Sequence, residues 1–158
     1  MHARLAHGAE RAAAVAALVD AWGEPVIVDG RSYRFEACEI FVAGEMFGAG
    51  EMAGVAAVSL EARPIAELVA INAFERAAGV GTALLAAIVP ALEGFRALRL
   101  TTTNDNLDAL RFYQRRGFRL TALRPGAVDR ARGLKPSIPR VGEYAIPLHD
   151  ELELTLTL

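Results

Sequence analysis

The sequence is poor in cysteine, in net charge and in long apolar runs, and each shortage excludes a class of protein. Cys38 is the only cysteine among 158 residues, so the chain has no internal disulfide and no set of cysteine ligands for a metal. The formal net charge of −2 provides no overall positive field for nucleic acid. The uncharged apolar runs are shorter than the roughly 20 residues of a membrane-spanning helix.

What remains is the composition of one globular domain, which we expect to cover residues 1–158. Hydrophobic residues make up 53% of the chain and charged residues 23%, enough to build a core. Residues 1–4 lead into an alanine-rich amphipathic stretch rather than a signal peptide, so we expect a soluble, cytoplasmic protein. Cys38 flanks a strand-like segment and is interpreted as a small, partly buried side chain, since an acyl-carrying thiol would need a nearby base.

The first half of the chain has the pattern of one helix followed by antiparallel strands. An Asp29-Gly30 pair is typical of a two-residue hairpin turn. The predicted elements are a helix over 9–21, hairpin strands over 26–28 and 33–35, strands over 39–43 and 52–60 joined by a turn at 48–50, and a strand over 65–72.

The second half alternates helices and strands. We predict a helix over 82–89 that is distorted at Pro90 and stops at Gly94, and a helix over 106–116 capped by Asn104 or Asp105. Strands are predicted over 97–102, 118–123 and 152–158, with a short helix over 126–133. This order predicts an α/β fold with a mixed, mostly antiparallel sheet of six or seven strands and helices on both faces. Only residues 79 to 116 supply the helical crossovers that parallel neighbours require.

The segment from Phe74 to Leu85 has the form of a strand, a glycine turn and a helix start. The first amides of a helix lack intrahelical partners and lie at the positive end of its dipole, which favours an anion such as a phosphate. Gly79 and Gly81 allow the backbone to approach that anion closely. The alternative is an ordinary turn whose glycines only permit tight packing. As a dinucleotide fingerprint the segment is poor, because only two glycines have the required spacing and no acidic residue ends a second strand about 20 residues later.

A second motif runs from Asn106 to Phe118. Asn106 and Tyr113 are seven residues apart, so on a helix they share one face at a separation of about 10 Å along the axis. One face can therefore offer an amide and a phenol to a long, thin ligand. The alternatives are a polar residue in the first turn for Asn106 and a core aromatic with a solvated tip for Tyr113.

Two stretches together resemble the two motifs of the GNAT (GCN5-related) N-acetyltransferases. They are Arg76-x-x-Gly79-x-Gly81 and Asn106-x-x-Ala109-x-x-x-Tyr113-x-x-x-Gly117-Phe118. The resemblance covers about residues 39–123. It implies the GNAT fold, acetyl-CoA as cosubstrate, no metal, and transfer of an acetyl group to a primary amine on a small molecule or peptide. It also allows a homodimer. In many family loops a basic residue precedes the first glycine. In this sequence that position holds Ala78, so we expect ordinary or weakened CoA affinity.

The resemblance also implies the roles of individual residues. Asn106 would contact the pantetheine arm, and Tyr113 would lie near the sulfur and protonate the thiolate. Backbone amides of the central strand would hold the thioester oxygen, if the two central strands splay apart. The expected cosubstrate-binding residues are Leu68, Val69, Ile71, Arg76, Ala77, Ala78, Gly79, Val80, Gly81, Thr82, Asn106 and Tyr113.

Glu67 is the candidate general base. It lies in an apolar strand segment similar to the one that carries the catalytic glutamate of GNAT histone acetyltransferases. Burial in such a strand raises the pKa of a carboxyl group towards neutrality, which suits a base. One alternative is a strand-end glutamate that is only paired with a nearby arginine. The other is that a water chain or a different residue takes the proton, as the resemblance to other family members allows.

A basic stretch lies outside both motifs. It is interpreted either as a solvated surface or as a lid that favours an acceptor bearing a carboxylate or phosphate; its cations are Arg124, Arg130, Arg132, Lys135 and Arg140. For the whole chain we keep two alternatives to an enzyme: a catalytically inactive CoA-binding regulatory protein, and a module for protein interaction. Retention of both Tyr113 and Glu67 weighs against a role in binding alone.

Overall fold

A computed structural model of the chain describes residues 1–44, 52–74 and 79–158. The described residues form nine strands and four α-helices, in the order β1 (Ala3–Leu5), α1 (Gly8–Trp22), β2 (Val26–Val28), β3 (Arg31–Tyr33), β4 (Glu39–Ala43), β5 (Gly54–Ser59), β6 (Ile65–Ala73), α2 (Val80–Ala91), β7 (Ala97–Thr103), α3 (Leu107–Gln114), β8 (Arg119–Arg124), α4 (Ala127–Leu134) and β9 (Glu151–Thr157). Two short 3-10 turns cover Phe35–Ala37 and Glu143–Ala145. Within these ranges no helix is both long and apolar enough to span a bilayer.

A mixed sheet of seven strands organises the described residues, in the order β1-β4-β5-β6-β7-β9-β8. Its parallel pair is β6 with β7, joined through α2, and the other neighbours are antiparallel. The predicted mixed, mostly antiparallel sheet is therefore confirmed, as is the place of its helical crossover. β2 and β3 form a separate two-stranded hairpin.

Helices cover both faces of the sheet and create two separate cores. On one face, buried Val80, Leu84 and Ile88 of α2 pack with Tyr113 of α3 against the strands. On the other, α1 and the hairpin pack through Ala14, Val15, Leu18, Val26 and Val28. Cys38 is buried in this second core, where burial raises the pKa of its thiol to about 11.

Gly54 brings the start of α2 close to the sheet. A Cβ at this position would lie 2.8 Å from the carbonyl oxygen of Asn72 and would overlap the Val80 side chain. A larger residue in β5 would therefore push α2 outward. The predicted turn at 48–50, which precedes this strand, lies outside the described residues.

Several predicted boundaries differ from the structure. The Asp29-Gly30 turn is confirmed, with φ of 49° and 72°, but its second strand is Arg31–Tyr33 because residues 35–37 form a 3-10 turn. α2 begins at Val80, two residues before the predicted start, and Pro90 lies in its last turn. β1 was not predicted, because three residues carry little periodic signal. The prediction that Asn104 or Asp105 caps α3 is wrong, because Asn106 is the cap.

Candidate active site

A gap opens in the middle of the sheet, where β6 and β7 separate. Their ladder ends at the pair Leu68 and Leu100, although β6 continues to Ala73 against β5 and β7 continues to Thr103 against β9. A bulge accompanies the separation: Ala57 and Val58 of β5 face Ala70 and Leu68 of β6, which leaves Val69 as the extra residue. A bulge bends its strand and increases the twist, so it directs β6 away from β7. The expected splay of the two central strands is present.

A cleft with a volume of about 730 Å³ lies at this gap. Its lining from β6 consists of Leu68, Val69, Ala70, Ile71 and Ala73, and its lining from β7 consists of Leu100, Thr101 and Thr102. The first turn of α2, the helix α3 with the residues at its two ends, Trp22 and Glu143 form the rest of its wall. Most of the predicted cosubstrate-binding residues line this cleft: Leu68, Val69, Ile71, Gly79, Val80, Gly81, Thr82, Asn106 and Tyr113. The others, Arg76, Ala77 and Ala78, lie outside the described residues.

The N-terminus of α2 presents backbone amides to this cleft. Gly79 is the N-cap in the left-handed conformation, with φ of 73°, and no side chain caps the helix within the described residues. The first intrahelical bond that involves the cap runs from the Ala83 amide to the Gly79 carbonyl, at 2.9 Å. The amides of the first turn are therefore available for an anion, at the positive end of the helix.

α3 begins differently, because Asn106 caps it. The Asn106 Oδ1 atom accepts a hydrogen bond from the Ala109 amide at 3.2 Å. Its amide nitrogen has no partner among the described residues and lines the same cleft. Asn106 can thus stabilise the helix with its oxygen and donate its N–H groups to a carbonyl of a ligand.

Tyr113 contributes a phenol to the cleft from the next turns of α3. Its ring is 5% exposed and lies in edge contact with Phe112 and Phe118, with centroids 5.1 and 5.2 Å apart. The hydroxyl makes no hydrogen bond to another described residue. Burial raises the pKa of Tyr113, so the phenol keeps its proton throughout the neutral range and can act as a donor.

A strand splay, open helix amides and an asparagine and phenol on one helix face form the site expected from the two motifs. A sequence model of the Acetyltransferase (GNAT) family matches residues 11–118, about two thirds of the chain. The chain belongs to the GNAT acetyltransferase family.

Other proteins share the sequence or the fold of this chain to different extents. The uncharacterized protein YxbD of Bacillus subtilis (strain 168) is 42% identical over 94 residues, which span 58% of this chain and 59% of that protein. An acetyltransferase of Bacillus subtilis in complex with CoA superposes with a TM-score of 0.70 at 22% identity, over 99% of this chain and 98% of that one. A GNAT family acetyltransferase of Elizabethkingia anophelis with acetyl-CoA bound has a TM-score of 0.64 at 23% identity and 78% coverage of both chains. At these identities the two structures show the shared fold.

Glu67 occupies a different environment from the GNAT cleft. It is 1% exposed, lies one residue before the cleft lining begins, and is absent from that lining among the described residues. Its Oε2 accepts a hydrogen bond from Arg99 Nε at 2.5 Å, and the two residues face each other one pair before the end of the β6–β7 ladder. Its Oε1 has no partner among the described residues. Burial raises the pKa of Glu67 despite the opposing effect of Arg99. The pairing with an arginine that the sequence left open is therefore present.

Arg116 is a cleft residue that the sequence did not single out. Its guanidinium donates to the Thr82 hydroxyl at 2.6 Å and stacks over the Phe112 ring at 3.7 Å from the centroid. The tip of Phe112 in turn contacts the backbone at Gly81, where a Cβ would lie 2.9 Å from Cζ. A cation thus lies beside the open amides of α2. The signal was only a second arginine before Gly117.

Most cations of the basic stretch make internal contacts, whereas the Arg140 side chain makes none with another described residue. Lys135 Nζ donates to the carbonyls of Trp22 and Pro25 at 3.0 and 3.2 Å, and Arg132 donates to those of Ile138, Pro139 and Leu148. Arg124 bonds Glu151, Glu153 and Thr101 at 3.1, 3.0 and 2.6 Å. These cations tie the segment after β8 to the rest of the fold. None of them lines the cleft among the described residues, so the proposed anion-selecting lid has no support here.

Proposed function

We propose that this GNAT protein is an N-acetyltransferase that transfers the acetyl group of acetyl-CoA directly to a primary amine. The observation that carries the proposal is the separation of β6 from β7 beyond Leu68 and Leu100, lined on both sides by cleft residues. Unpaired strand amides on this edge are suitable donors to the oxygen that becomes negative when a thioester is attacked. Acetyltransferases of the same fold carry CoA or acetyl-CoA in their structures.

The cosubstrate would lie along the cleft with its pyrophosphate on the amides of Val80, Gly81 and Thr82. Arg116 adds a positive charge there through its position at Thr82. Asn106 would donate to the pantetheine arm, about 10 Å along α3 from Tyr113. The loop residues Arg76, Ala77 and Ala78 remain part of this proposed site.

In the proposed chemistry the ammonium of the acceptor first loses a proton to Glu67. A water must carry that proton, because Oε2 is bound to Arg99 and the carboxylate lies outside the cleft. The amine nitrogen then attacks the thioester carbon, and the carbon–sulfur bond breaks. Tyr113 donates its proton to the departing sulfur. Because burial disfavours the phenolate, Tyr113 must recover a proton from the nitrogen of the new amide in the same step.

Titration with acetyl-CoA in modest salt, followed by detection of free CoA thiol over a mixed library of amines, tests the proposal. Saturable binding with amine-dependent thiol release is expected. Binding without release for any amine would favour the inactive CoA-binding protein. Absence of binding, both in heat and in thermal shift, would contradict both.

A further inference from the structure

Thr101 of β7 borders the opening in the sheet where the thioester is proposed to lie. Leu68 and Leu100 are the last pair of the β6–β7 ladder, so Thr101 is the first residue of β7 beyond it. The next residues along the two strands, Val69 and Thr101, lie on the two sides of the opening, and both line the cleft. Because the proposed donors to the thioester oxygen are β6 amides beyond Leu68, Thr101 borders the same opening as the reacting carbon.

The Thr101 hydroxyl is oriented by an arginine and keeps its hydrogen free. Its Oγ1 atom accepts a hydrogen bond from Arg124 Nη2 at 2.6 Å. An arginine can only donate, so this bond does not use the threonine hydrogen, which has no acceptor among the described residues. A second lone pair of the oxygen also remains. The hydroxyl can therefore accept one proton and donate another, as a proton relay requires.

Thr101 lies on the same face of the sheet as the buried pair of Glu67 and Arg99. Side chains alternate along a strand, so those of Arg99 and Thr101 point to one face, about 7 Å apart along β7. Leu98 and Leu100 point to the other face, where they belong to the core beneath α2. Glu67 is both the register partner and the hydrogen-bond partner of Arg99, which places its carboxylate on the face of Thr101.

Two buried atoms of the Glu67–Arg99 pair lack a partner and have complementary chemistry. Oε1 of ionised Glu67 can only accept and Nη2 of Arg99 can only donate, and neither is hydrogen-bonded to another described residue. Buried polar atoms are nearly always satisfied, by water where no side chain reaches them. One water would satisfy both atoms, since it accepts from Nη2 and donates to Oε1. The Thr101 hydroxyl is the next polar group towards the cleft, at a span that two hydrogen bonds through one water cover.

The guanidinium that orients Thr101 does not repel an approaching ammonium. Arg124 is shared among Asp29, Glu151 and Glu153 at 3.4, 3.1 and 3.0 Å. Three carboxylates therefore surround one positive charge beside the hydroxyl. The cleft-lining arginines of α3 belong to the opposite side of the sheet, where α3 packs.

Glu67 is the group on this face that is suited to receive a proton. Burial raises its pKa and the charge of Glu153 acts in the same direction, whereas Arg99 and Arg31 oppose this rise. Tyr33 of the hairpin faces the same carboxylate, and burial together with the charge of Glu67 raises the pKa of its phenol. The carboxylate is therefore a stronger proton acceptor than an ordinary glutamate, and the phenol beside it stays protonated.

We infer that the Thr101 hydroxyl is the first relay for the proton that the acceptor ammonium loses. The ammonium gives a proton to Oγ1 while the threonine hydrogen passes to the water, and the water passes one of its own to Oε1 of Glu67. The products are a neutral amine, an unchanged hydroxyl and water, and a protonated Glu67. Arg124 is a positioning residue that orients the hydroxyl. This inference rests on the proposed acetyltransferase function and adds a catalytic residue to the same site.

The test compares two acceptors that differ in whether a proton must leave before attack. A primary alkylamine is an ammonium ion at neutral pH, whereas an alkoxyamine of the same length is already neutral. Thr101→Val removes the hydroxyl at nearly constant shape and should lower kcat for the alkylamine about 10- to 100-fold, since water replaces the relay only in part. The alkoxyamine should keep its kcat. Thr101→Ser should restore turnover of the alkylamine.

Glu67→Gln should show the same preference, because both groups act in one route. It should slow the alkylamine far more than the alkoxyamine, and the double variant with Thr101→Val should lose little more than Glu67→Gln alone. Arg124→Gln removes the donor that orients the hydroxyl and should also slow the alkylamine selectively. The KM for acetyl-CoA and the melting temperature of each variant separate these effects from damage to the cosubstrate site or to the fold. Losses that simply multiply in the double variant would contradict a shared route.

Thr157→Val is the matched control, because Thr157 is an exposed threonine at the end of β9 and lies outside the described cleft lining. It should change the turnover of neither acceptor. An equal loss for both acceptors in Thr101→Val would assign the hydroxyl to the thioester oxygen or to the fold, and an unchanged rate would remove it from the route. Either result overturns the inference and leaves the acetyltransferase standing. If neither kind of amine releases thiol, the proposed function fails and the inference fails with it.

Discussion

The guanidinium of Arg116 donates a 2.6 Å hydrogen bond to the hydroxyl of Thr82, and this bond joins the end of α3 to the first turn of α2. The two residues are 34 positions apart in sequence. Their contact brings a permanent cation next to helix amides that have no other described partner. This arrangement places a positive charge beside the phosphate end of the proposed cosubstrate, and that charge does not depend on the loop before Gly79.

Replacement of Arg116 by Gln should weaken acetyl-CoA binding about 3- to 10-fold, because an exposed cation contributes about 1 kcal/mol to an anion. The effect should shrink as salt is raised, since the charge is screened. Titration calorimetry at two salt concentrations measures both. Arg119→Gln, an exposed arginine on β8 outside the cleft lining, is the control and should change neither value. An equal weakening in both variants would point to net charge alone.

Gly81→Ala should weaken CoA binding and destabilise the fold. The added Cβ would lie 2.9 to 3.2 Å from the Phe112 ring, which must move and carry Arg116 with it. Overpacking of this kind typically costs about 1–3 kcal/mol. Gly133→Ala is the matched control: no atom lies within 4 Å of its Cβ position in α4, so it should be neutral or slightly stabilising. Thermal unfolding and CoA titration of both variants check the prediction.

Tyr113→Phe should lower kcat about 100-fold while CoA affinity and melting temperature stay close to those of the wild type. The hydroxyl has no described hydrogen-bond partner, so its removal leaves the packing of the ring on Phe112 and Phe118 intact. Stopped-flow thiol release with a saturating amine gives kcat. Unchanged turnover would remove Tyr113 from the proposed proton transfer.

Glu67→Gln separates a base from a structural ion pair. Burial raises the pKa of Glu67 above its usual value, and a base must be ionised, so the wild-type rate should rise with pH through that raised pKa. The variant should lose this rise of rate with pH and most of kcat. A rate equal to that of the wild type at every pH would leave Glu67 only its pairing with Arg99.

The same variant makes a stability prediction of definite sign. A carboxyl whose pKa is raised on folding binds its proton more tightly in the native state, so its contribution is present at low pH and is lost as pH rises through the raised value. The wild type should therefore lose stability relative to Glu67→Gln as pH increases from about 4. Denaturant unfolding across this range measures the trend, and a trend of opposite sign would mean that Arg99 dominates the pair.

Cys38 should react slowly with thiol reagents in the native protein. Burial raises the pKa of the thiol to about 11, and its side chain is 5% exposed, so little accessible thiolate exists at pH 8. The thiol should react at once in denaturant. Rapid labelling of the folded chain would show that this core opens easily.

The sequence by itself determined most of the elements and the two motifs. The strands predicted over 39–43 and 65–72 and the helix after Gly79 follow from apolar periodicity and glycine positions, which act over a few residues and can be read locally. Asn106 and Tyr113 share a face because helix geometry fixes a spacing of seven. These local rules were sufficient to indicate the family and its fold.

Only the tertiary structure decided which groups in the site are free. The basic stretch suggested an anionic acceptor, yet Lys135 and Arg132 are bound to carbonyls that lie far away in the sequence or on another loop. Glu67 is hydrogen-bonded to Arg99 on a neighbouring strand, and Arg116 is hydrogen-bonded to Thr82 on another helix. The bulge at Val69 that separates the strands depends on the register between β5 and β6. Such contacts depend on how elements dock, and a charge is available to a ligand only when docking leaves it without a partner.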